Sequence, residues 1–170
     1  MTALEQRSPA PDALRLQCRV PGAHDGFVDG SWWPRSLDLR AELPRLLTAF
    51  RSSGHEVARI AYRPAAWDPA PATLVVSGRT ITLDKAPHQV PELIGLLDDA
   101  GVTRADLVVI PPLTERRAAE RVLALGRRGG DLRRLVGIIE RAADPYSLPA
   151  ALDQLPAAVW ETEGGRILAR

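Results

Sequence analysis

The chain has 170 residues with a mass of 18.5 kDa; 45% are hydrophobic, 25% are charged, and the formal net charge is +1. This size fits one domain that can bury a core without disulfides, and the near-neutral charge provides no global field toward nucleic acid or membranes. Cys18 is the single cysteine, which excludes an internal disulfide and predicts a reducing, cytoplasmic location. No apolar run approaches the roughly 18 residues that a membrane span needs.

The chain opens with a polar, proline-containing segment, and residues 1–12 are predicted to form a disordered tail. The remaining residues, 13–170, are expected to form a single domain. Apolar and polar side chains alternate over residues 13–20, which predicts a half-buried strand. Cys18 falls on the apolar side of that strand, so we expect an inert thiol in the core.

A helix is predicted over residues 38–53, where leucines and a phenylalanine recur at helical spacing. Pro44 lacks a backbone N–H and fits only near a helix start, so the regular helix should begin close to residues 39–41. Either Ser36 or Asp38 is expected to cap the entry to this helix.

The middle of the chain predicts strands, one hairpin and one further helix, from apolar runs bounded by glycine and proline. The runs predict a strand over 57–63, a hairpin formed by 72–77 and 79–84, a helix over 90–100 and a central strand over 105–110. The hairpin is expected to turn at Ser77 and Gly78.

The last third of the chain predicts two arginine-rich helices, the first capped by Thr114 and ending at Gly126, the second capped by Asp131. A short helix over 147–155 and a second hairpin over 158–169 follow. Strands and helices are mixed without strict alternation, and the two hairpins imply antiparallel pairing. The predicted fold class is therefore α+β, a mixed, mainly antiparallel sheet with hairpins, covered by helices.

Three of the four tryptophans lie in two proline-bounded segments, residues 29–36 and 66–71. Adjacent side chains on a strand point to opposite faces, so Trp32 and Trp33 cannot both enter one core from regular β structure. In one interpretation, which we favour, these tryptophans are packing groups that close the open end of a sheet. In the other, indoles wall a ligand pocket, guanidiniums bind an anion and carboxylates orient a donor. The residues of that predicted ligand site are Asp29, Trp32, Trp33, Arg35, Arg63, Trp67, Asp68 and His88.

The two tryptophan segments also carry a resemblance. The pattern Asp-Gly-Ser-Trp-Trp-Pro-Arg-Ser at 29–36, with Ala-Trp-Asp-Pro-Ala-Pro at 66–71, resembles a family of small uncharacterised actinobacterial proteins of unknown function. The resemblance continues through 108–112 and 160–165, so it spans most of the chain. Residues 85–103 depart from the family pattern, which places a β-hairpin-like stretch there, where periodicity predicts a helix. It implies no reaction.

Motifs for cofactors, metals and nucleophiles are missing from the sequence. The chain has no G-x-x-x-x-G-K-[ST] loop, no G-x-G-x-x-G after a strand, no H-E-x-x-H and no C-x-x-C. We therefore expect no cofactor and no metal, and favour a non-catalytic role over an enzyme. An enzyme with its site under the tryptophan loops stays an alternative that requires two titratable groups within hydrogen-bond reach.

A further alternative rests on the helices over residues 115–141, which hold eight arginines and four acids. Such local charge can bind phosphate or nucleic acid, and its strongest candidates are Arg127, Arg128, Arg133 and Arg134. Glutamates are interleaved at helical spacing and aromatic residues that could stack on bases are missing, so we favour a solvated helix surface.

The sequence therefore predicts a small cytoplasmic, non-catalytic binding or regulatory protein. Its tryptophan- and proline-rich loops are expected to contact a small ligand or a protein partner. Nucleic-acid association through the arginine-rich helices is the first alternative, and an enzyme is the second. No membrane association is predicted, and the sequence does not determine the oligomeric state.

Overall fold

The protein is represented by a computed structural model that describes residues 13–18 and 28–143. Seven strands and three α-helices lie within these residues. The strands are β1 (Leu16–Cys18), β2 (Gly30–Trp32), β3 (Arg59–Tyr62), β4 (Thr73–Val76), β5 (Arg79–Lys85), β6 (Leu93–Leu97) and β7 (Thr103–Val109). The helices are α1 (Leu39–Ser52), α2 (Arg116–Gly126) and α3 (Leu132–Ala143).

The seven described strands form one sheet in the order β1-β2-β7-β6-β3-β5-β4. Two neighbouring pairs are parallel, β2 with β7 and β3 with β5. The other four pairs are antiparallel. A mixed, mainly antiparallel sheet packed with helices confirms the predicted α+β class.

The two faces of the sheet pack against different helices. On the first face, α1 covers a core that includes Ile60, Ile94 and Leu107. On the second face, α2 and α3 bury Val122 and Leu135 in a separate core. These two helices pack chiefly against β1, β2 and β7, so they cover one side of the second face. Both faces of β2 and β7 are consequently buried, which makes this pair the centre of the fold.

Several local predictions are confirmed within the described residues. The hairpin of β4 and β5 turns at Ser77 and Gly78, whose φ angles of 51° and 77° are those that a two-residue type I′ turn requires. Helix α1 begins at Leu39, and the Asp38 carboxylate caps it by accepting from the Arg40 N–H at 2.9 Å. Pro44 lies in the second turn of α1, further from the start than the first-turn preference of proline suggested.

The helix predicted over residues 90–100 is wrong, because the structure places strand β6 (Leu93–Leu97) there. Ile94 and Leu96 point into the α1 core, while Leu93 packs against the core under α2 and α3. Because apolar groups pack on both faces of β6, its apolar residues need not alternate with polar ones. The apolar run that resembled a helix face is the signature of this interior strand, in agreement with the β structure that the family resemblance implied.

Two smaller predictions also need correction. Glu115, and not Thr114, caps α2, since its carboxylate accepts from the N–H groups of Arg117 and Ala118, both at 3.0 Å. Cys18 is exposed on the edge strand β1 and is not a core residue. Its sulfur nevertheless lies over Gly30, and desolvation, assisted by the Asp29 charge, raises the pKa of the thiol to about 11. The inertness of this thiol stays a prediction.

Some predictions fall outside the described residues: the tail over 1–12, the helix over 147–155 and the hairpin over 158–169. The single domain over 13–170 stays a prediction for the same reason. In the part of the chain that the structure describes, no helix has the length and apolar character to cross a membrane.

Candidate functional site

The sheet has two ends that differ in chemistry. Strands β2, β3, β5 and β7 run in the same direction, so they finish at one end, here called the carboxyl end. Trp33 and Arg63 directly follow β2 and β3 at this end. Asp68 precedes β4, which runs in the opposite direction, and His88 follows β5, so both also belong to the carboxyl end. Asp29 precedes β2 and therefore lies at the opposite, amino end.

Trp32 and Trp67 pack against each other inside the α1 core. Their rings stack with centroids 5.6 Å apart and an interplanar angle of 23°, and the residues are 0% and 7% exposed. Both indole nitrogens are buried and have no hydrogen-bond partner among the described residues. A buried N–H without a partner carries a desolvation cost, which the apolar contact of two stacked indoles must offset.

Trp33 points to the opposite face of the sheet, as predicted for adjacent residues of a strand. It is 9% exposed and packs in the core under α2 and α3, and its indole N–H donates to the Pro112 carbonyl at 3.4 Å. The three indoles therefore do not surround a common cavity. This geometry favours the packing interpretation of the tryptophans, and a ligand site on the full set of predicted residues stays a prediction.

A charged crevice opens beside the tryptophan pair at the carboxyl end. Trp32 and Trp33 line it together with Ala13, Leu14 and four charged residues, and we call it the arginine crevice after the charged set, which is Arg15, Arg35, Glu42 and Arg45. Its volume is about 10 Å³, which is close to the minimum that holds one water molecule. The formal charges of its lining, three positive and one negative, sum to +2.

Arg15 is held in the arginine crevice by one aromatic ring and two carbonyl groups. Its guanidinium carbon lies 3.8 Å from the centroid of the Trp33 ring, a cation–π arrangement worth roughly 0.5–2 kcal/mol. Its Nε donates to the Trp33 carbonyl at 3.1 Å and its Nη2 to the Pro34 carbonyl at 2.7 Å. Desolvation and the nearby charge of Arg35 lower the pKa of Arg15, while Glu42 acts in the opposite direction.

The other predicted site residues at the carboxyl end are spread along the edge of the sheet. Arg63 is half-buried, and Asp68 and His88 are exposed. The backbone N–H of Asp68 donates to the Leu37 carbonyl at 3.0 Å, which ties the second tryptophan segment to the start of α1. The structure thus brings Trp32, Trp67 and the two segments together, and leaves Arg63 and His88 outside the arginine crevice.

Asp29, at the amino end of β2, contacts the backbone of Asp106 on the neighbouring strand β7. The Asp29 carboxylate accepts from the Asp106 backbone N–H at 2.8 Å, and the Asp29 N–H donates to the Asp106 carbonyl at 2.8 Å. Desolvation, followed by the nearby Asp29 charge, raises the pKa of Asp106. The Asp29 carboxylate therefore links β2 to β7, because it accepts a hydrogen bond from a backbone N–H of β7.

A cleft of about 750 Å³ lies at the amino end of the sheet. Residues 54–58, 79–81 and 98–100, together with Arg104, line it. Residues 54–58 precede β3, residues 79–81 begin β5, residues 98–100 follow β6 and Arg104 lies near the start of β7, so the cleft depends on four elements that are distant in sequence. The sequence did not predict this cleft. In the sequence, the adjacent acids Asp98 and Asp99 are the local feature that could have indicated it. They lay at the end of the helix that was wrongly predicted over 90–100.

Ion pairs organise the lining of the cleft. Arg79 donates to both oxygens of Glu56, at 2.8 and 3.3 Å, and Arg104 pairs with Asp98. Asp98 also accepts from the Val102 backbone N–H at 2.8 Å, which fixes the turn between β6 and β7. The contacts with Arg79 lower the pKa of Glu56. Hydrogen bonding, chiefly from the Val102 N–H, lowers the pKa of Asp98 against the effect of desolvation. Both carboxyls are therefore ionised at neutral pH.

The four arginines of the nucleic-acid alternative lie around the junction of α2 and α3. Arg127 and Arg128 follow α2, Arg133 and Arg134 are in the first turn of α3, and all four are exposed. The turn between the helices contains Gly129 with a φ of 73°. Nucleic-acid binding by these side chains stays a prediction, which salt-dependent retention on heparin would test.

The described residues contain no group of three or more histidine, cysteine, aspartate or glutamate side chains placed to hold a metal ion. Guanidiniums dominate at the carboxyl end, and alternating carboxylates and guanidiniums dominate in the cleft at the amino end.

Comparison with family models shows that the chain belongs to a family of unknown function (DUF5994), whose model matches residues 15–126. The matched part contains the seven described strands together with α1 and α2, and it ends where α2 ends. It also contains both tryptophan segments and all residues that line the cleft. Of the residues that line the arginine crevice, it contains all but Ala13 and Leu14. Comparisons with curated proteins and with solved structures find no match.

Proposed function

We propose that the protein is a non-catalytic binding protein and that the cleft at the amino end of the sheet holds a small polar ligand. The observation that carries this proposal is the size of the cleft. Its volume of about 750 Å³ falls within the roughly 300–1,000 Å³ of typical small-molecule pockets. The tryptophan loops lie at the opposite end, and in this proposal they support the sheet and do not touch the ligand of the cleft.

The electrostatics of the cleft support recognition over catalysis. Glu56 and Asp98 each hold a guanidinium, and their lowered pKa values keep them ionised, whereas a general acid needs a raised pKa. Asp99 adds an exposed carboxylate outside those two pairs. Three carboxylates and two guanidiniums give the lining a net charge of −1, which suits a polar ligand with a cationic group.

The proposed setting is the cytoplasm. Cys18 is the one cysteine of the chain, and a binding protein without disulfides suits a reducing compartment. The arginine-rich composition and the tryptophan segments support an actinobacterial source.

Native mass spectrometry of the chain purified from its own organism tests the proposal. We expect a retained small molecule, seen as a mass above the 18.5 kDa of the polypeptide. Thr80→Trp should abolish retention, because Thr80 is exposed on β5 and lines the cleft, where an indole would fill the space. Thr73→Trp is the matched control, since Thr73 is an exposed threonine on the neighbouring strand β4 and does not line the cleft.

A nitrogen-15 NMR titration with spermidine, L-arginine, L-glutamate and adenosine provides the second measurement. We expect at least one probe to give saturable shifts for amides of residues 54–58, 79–81 and 98–104. The proposal is refuted if no molecule is retained and no probe binds there. Retention that survives Thr80→Trp also refutes it.

A further inference from the structure

We propose that strand β4 (Thr73–Val76) is an interface between two copies of this chain, in which the β4 strands of both copies pair antiparallel. β4 is the last strand in the sheet order, so among the described strands it pairs with β5 alone. Pairing of two β4 strands joins the two sheets into one continuous sheet. The interface is separate from the cleft, because none of the four residues of β4 lines that cleft.

The first argument is the set of backbone groups that β4 turns outward. The Leu83 N–H donates to the Ala72 carbonyl at 2.8 Å, so the backbone of Ala72 bonds toward β5. Along an antiparallel strand, successive residues direct their backbone groups alternately toward one side and toward the other, so Thr73 and Val75 point away from β5. The N–H and carbonyl groups of these two residues therefore form an open edge that a further strand can fill.

The second argument is the composition of this edge. Proteins commonly protect an exposed sheet edge with charged residues, prolines or bulges. Residues Thr73–Val76 contain no charge and no proline, and their pairing with β5 is regular. Val75 is apolar and yet 69% exposed. A second strand at this edge covers the valine and bonds the open backbone groups at the same time.

The third argument is the register, and it identifies the partner as a second copy. When Thr73 of each copy lies opposite Val75 of the other, each residue pair exchanges both of its hydrogen bonds, so every outward group of the two strands is satisfied. A shift by two residues in one direction places Val75 opposite Pro71, which has no N–H to donate. The opposite shift places Thr73 opposite Ser77, whose φ of 51° belongs to the turn. The strand is therefore complementary to itself in one register, as a two-fold dimer requires.

This register puts Leu74 on the two-fold axis, opposite Leu74 of the second copy. The Leu74 side chain is partly buried against the α1 core, so the two leucines extend this apolar layer from one copy to the other. On the other face of the sheet, Val75 lies beside Thr73 of the second copy, and both side chains are β-branched. Cross-strand pairs of this kind stabilise antiparallel sheets.

Sedimentation equilibrium of the full chain over a range of protein concentrations tests the dimer. We expect the mass to rise from 18.5 kDa toward twice that value. Val75→Pro should weaken dimerisation at least about tenfold, because it removes one outward N–H and leaves the hydrogen bonds between β4 and β5 in place. Val75→Lys should act in the same direction by placing a charge on the edge, and it serves as the second variant if Val75→Pro does not fold. Val102→Lys is the matched control, a 53% exposed valine outside β4, and it should dimerise as the parent chain does.

Disulfide cross-linking tests the register. In a Cys18→Ser background, Leu74→Cys should give a disulfide-linked dimer on oxidation, because residues that face each other in a non-hydrogen-bonded pair lie within disulfide reach. Thr73→Cys is the matched control on the same strand. Thr73 is more exposed than Leu74, but its counterpart in the second copy is a diagonal neighbour about 7–8 Å away, beyond that reach.

Three results would overturn the proposal. The first is a chain that stays monomeric at all concentrations, which would leave the edge to another segment of the chain or to a different protein. The second is a dimer that both Val75→Pro and Val75→Lys leave unchanged. The third is cross-linking of Thr73→Cys as fast as that of Leu74→Cys, since the strands would then lie in another register.

Discussion

Gly126, the last residue of α2, marks the closest approach of that helix to the sheet. A Cβ added to Gly126 would overlap the Ser31 hydroxyl and lie 2.8 Å from the Ser31 Cβ and 3.0 Å from its backbone nitrogen. Ser31 cannot move away easily, because it is fully buried on β2 and its hydroxyl donates to the Val122 carbonyl at 3.1 Å. We therefore predict that Gly126→Ala pushes α2 away from the sheet and destabilises the protein.

Two effects of opposite sign determine the magnitude. Replacing glycine by alanine inside a helix stabilises by about 0.5–1 kcal/mol, because alanine loses less backbone entropy on folding. Overpacking of a closely packed site costs about 1–3 kcal/mol. The Cβ of Gly126→Ala would meet both a side chain and the strand backbone, so we expect the upper part of that range. The net loss of unfolding free energy is then about 2 kcal/mol, or a fall in Tm of roughly 5–10 °C.

Urea unfolding of four variants measures this effect: Gly126→Ala, Ser31→Gly, the double variant of the two, and the control Gly137→Ala. Gly137→Ala is the matched control in α3, since its added Cβ would meet only the Arg141 guanidinium, at an ordinary 3.5 Å, and it should stabilise by about 0.5–1 kcal/mol. Ser31→Gly in the Gly126→Ala background should recover part of the loss, which gives a coupling energy of at least about 1 kcal/mol. Stabilisation by Gly126→Ala, or the absence of coupling with Ser31→Gly, would refute the close packing of α2 on β2.

The remaining predictions concern the sheet and two titratable groups. Gly30→Ala should cost about 2 kcal/mol in urea unfolding, because its Cβ would collide with the backbone of β1, 2.9 Å from the Cys18 Cα. Ile94→Ala should cost about 2–5 kcal/mol in the same assay, since Ile94 is fully buried in the interior strand β6. Burial and Asp29 raise the pKa of Asp106, so the folded chain keeps this proton to higher pH than the unfolded chain does. The contribution of Asp106 to the free energy of unfolding should therefore fall as the pH rises above the ordinary carboxyl pKa of 3.8, and the stability difference between the parent chain and Asp106→Asn should change over that pH range. With the pKa of the Cys18 thiol near 11 against an ordinary 9.0, a disulfide reagent at pH 8 should react roughly a hundredfold slower with the folded chain than with the urea-unfolded chain.

The elements that the sequence predicted correctly are those determined by neighbouring residues. The turn of the β4–β5 hairpin depends on Gly78, and the start of α1 depends on the carboxylate of Asp38. Both signals act within two or three residues, so they are visible without the fold. The opposite directions of Trp32 and Trp33 follow in the same way from the two-residue repeat of a strand.

Strand β6 could not be predicted by the same reasoning, because its pattern reflects distant neighbours. Four of its five residues are apolar, which fits a helix face as well as a strand enclosed between β3 and β7. That error also concealed the cleft, since Asp98 and Asp99 were expected on a helix and instead lie in the turn after β6. The other walls of the cleft come from residues 54–58 and 79–81, and only the sheet order places them together.

The burial of Trp32 and Trp33 shows that their motif contributes to the packing of the sheet. Trp32 enters the α1 core and Trp33 enters the core under α2 and α3, so two consecutive residues attach β2 to both cores. A backbone fixed on both faces cannot shift, and the residues that follow it leave the sheet at a defined place. The arginine crevice lies at that place, with Arg15 resting on the outer surface of Trp33. The large buried indoles therefore anchor β2 between the two cores, and the exposed arginines of the crevice lie beside this anchor.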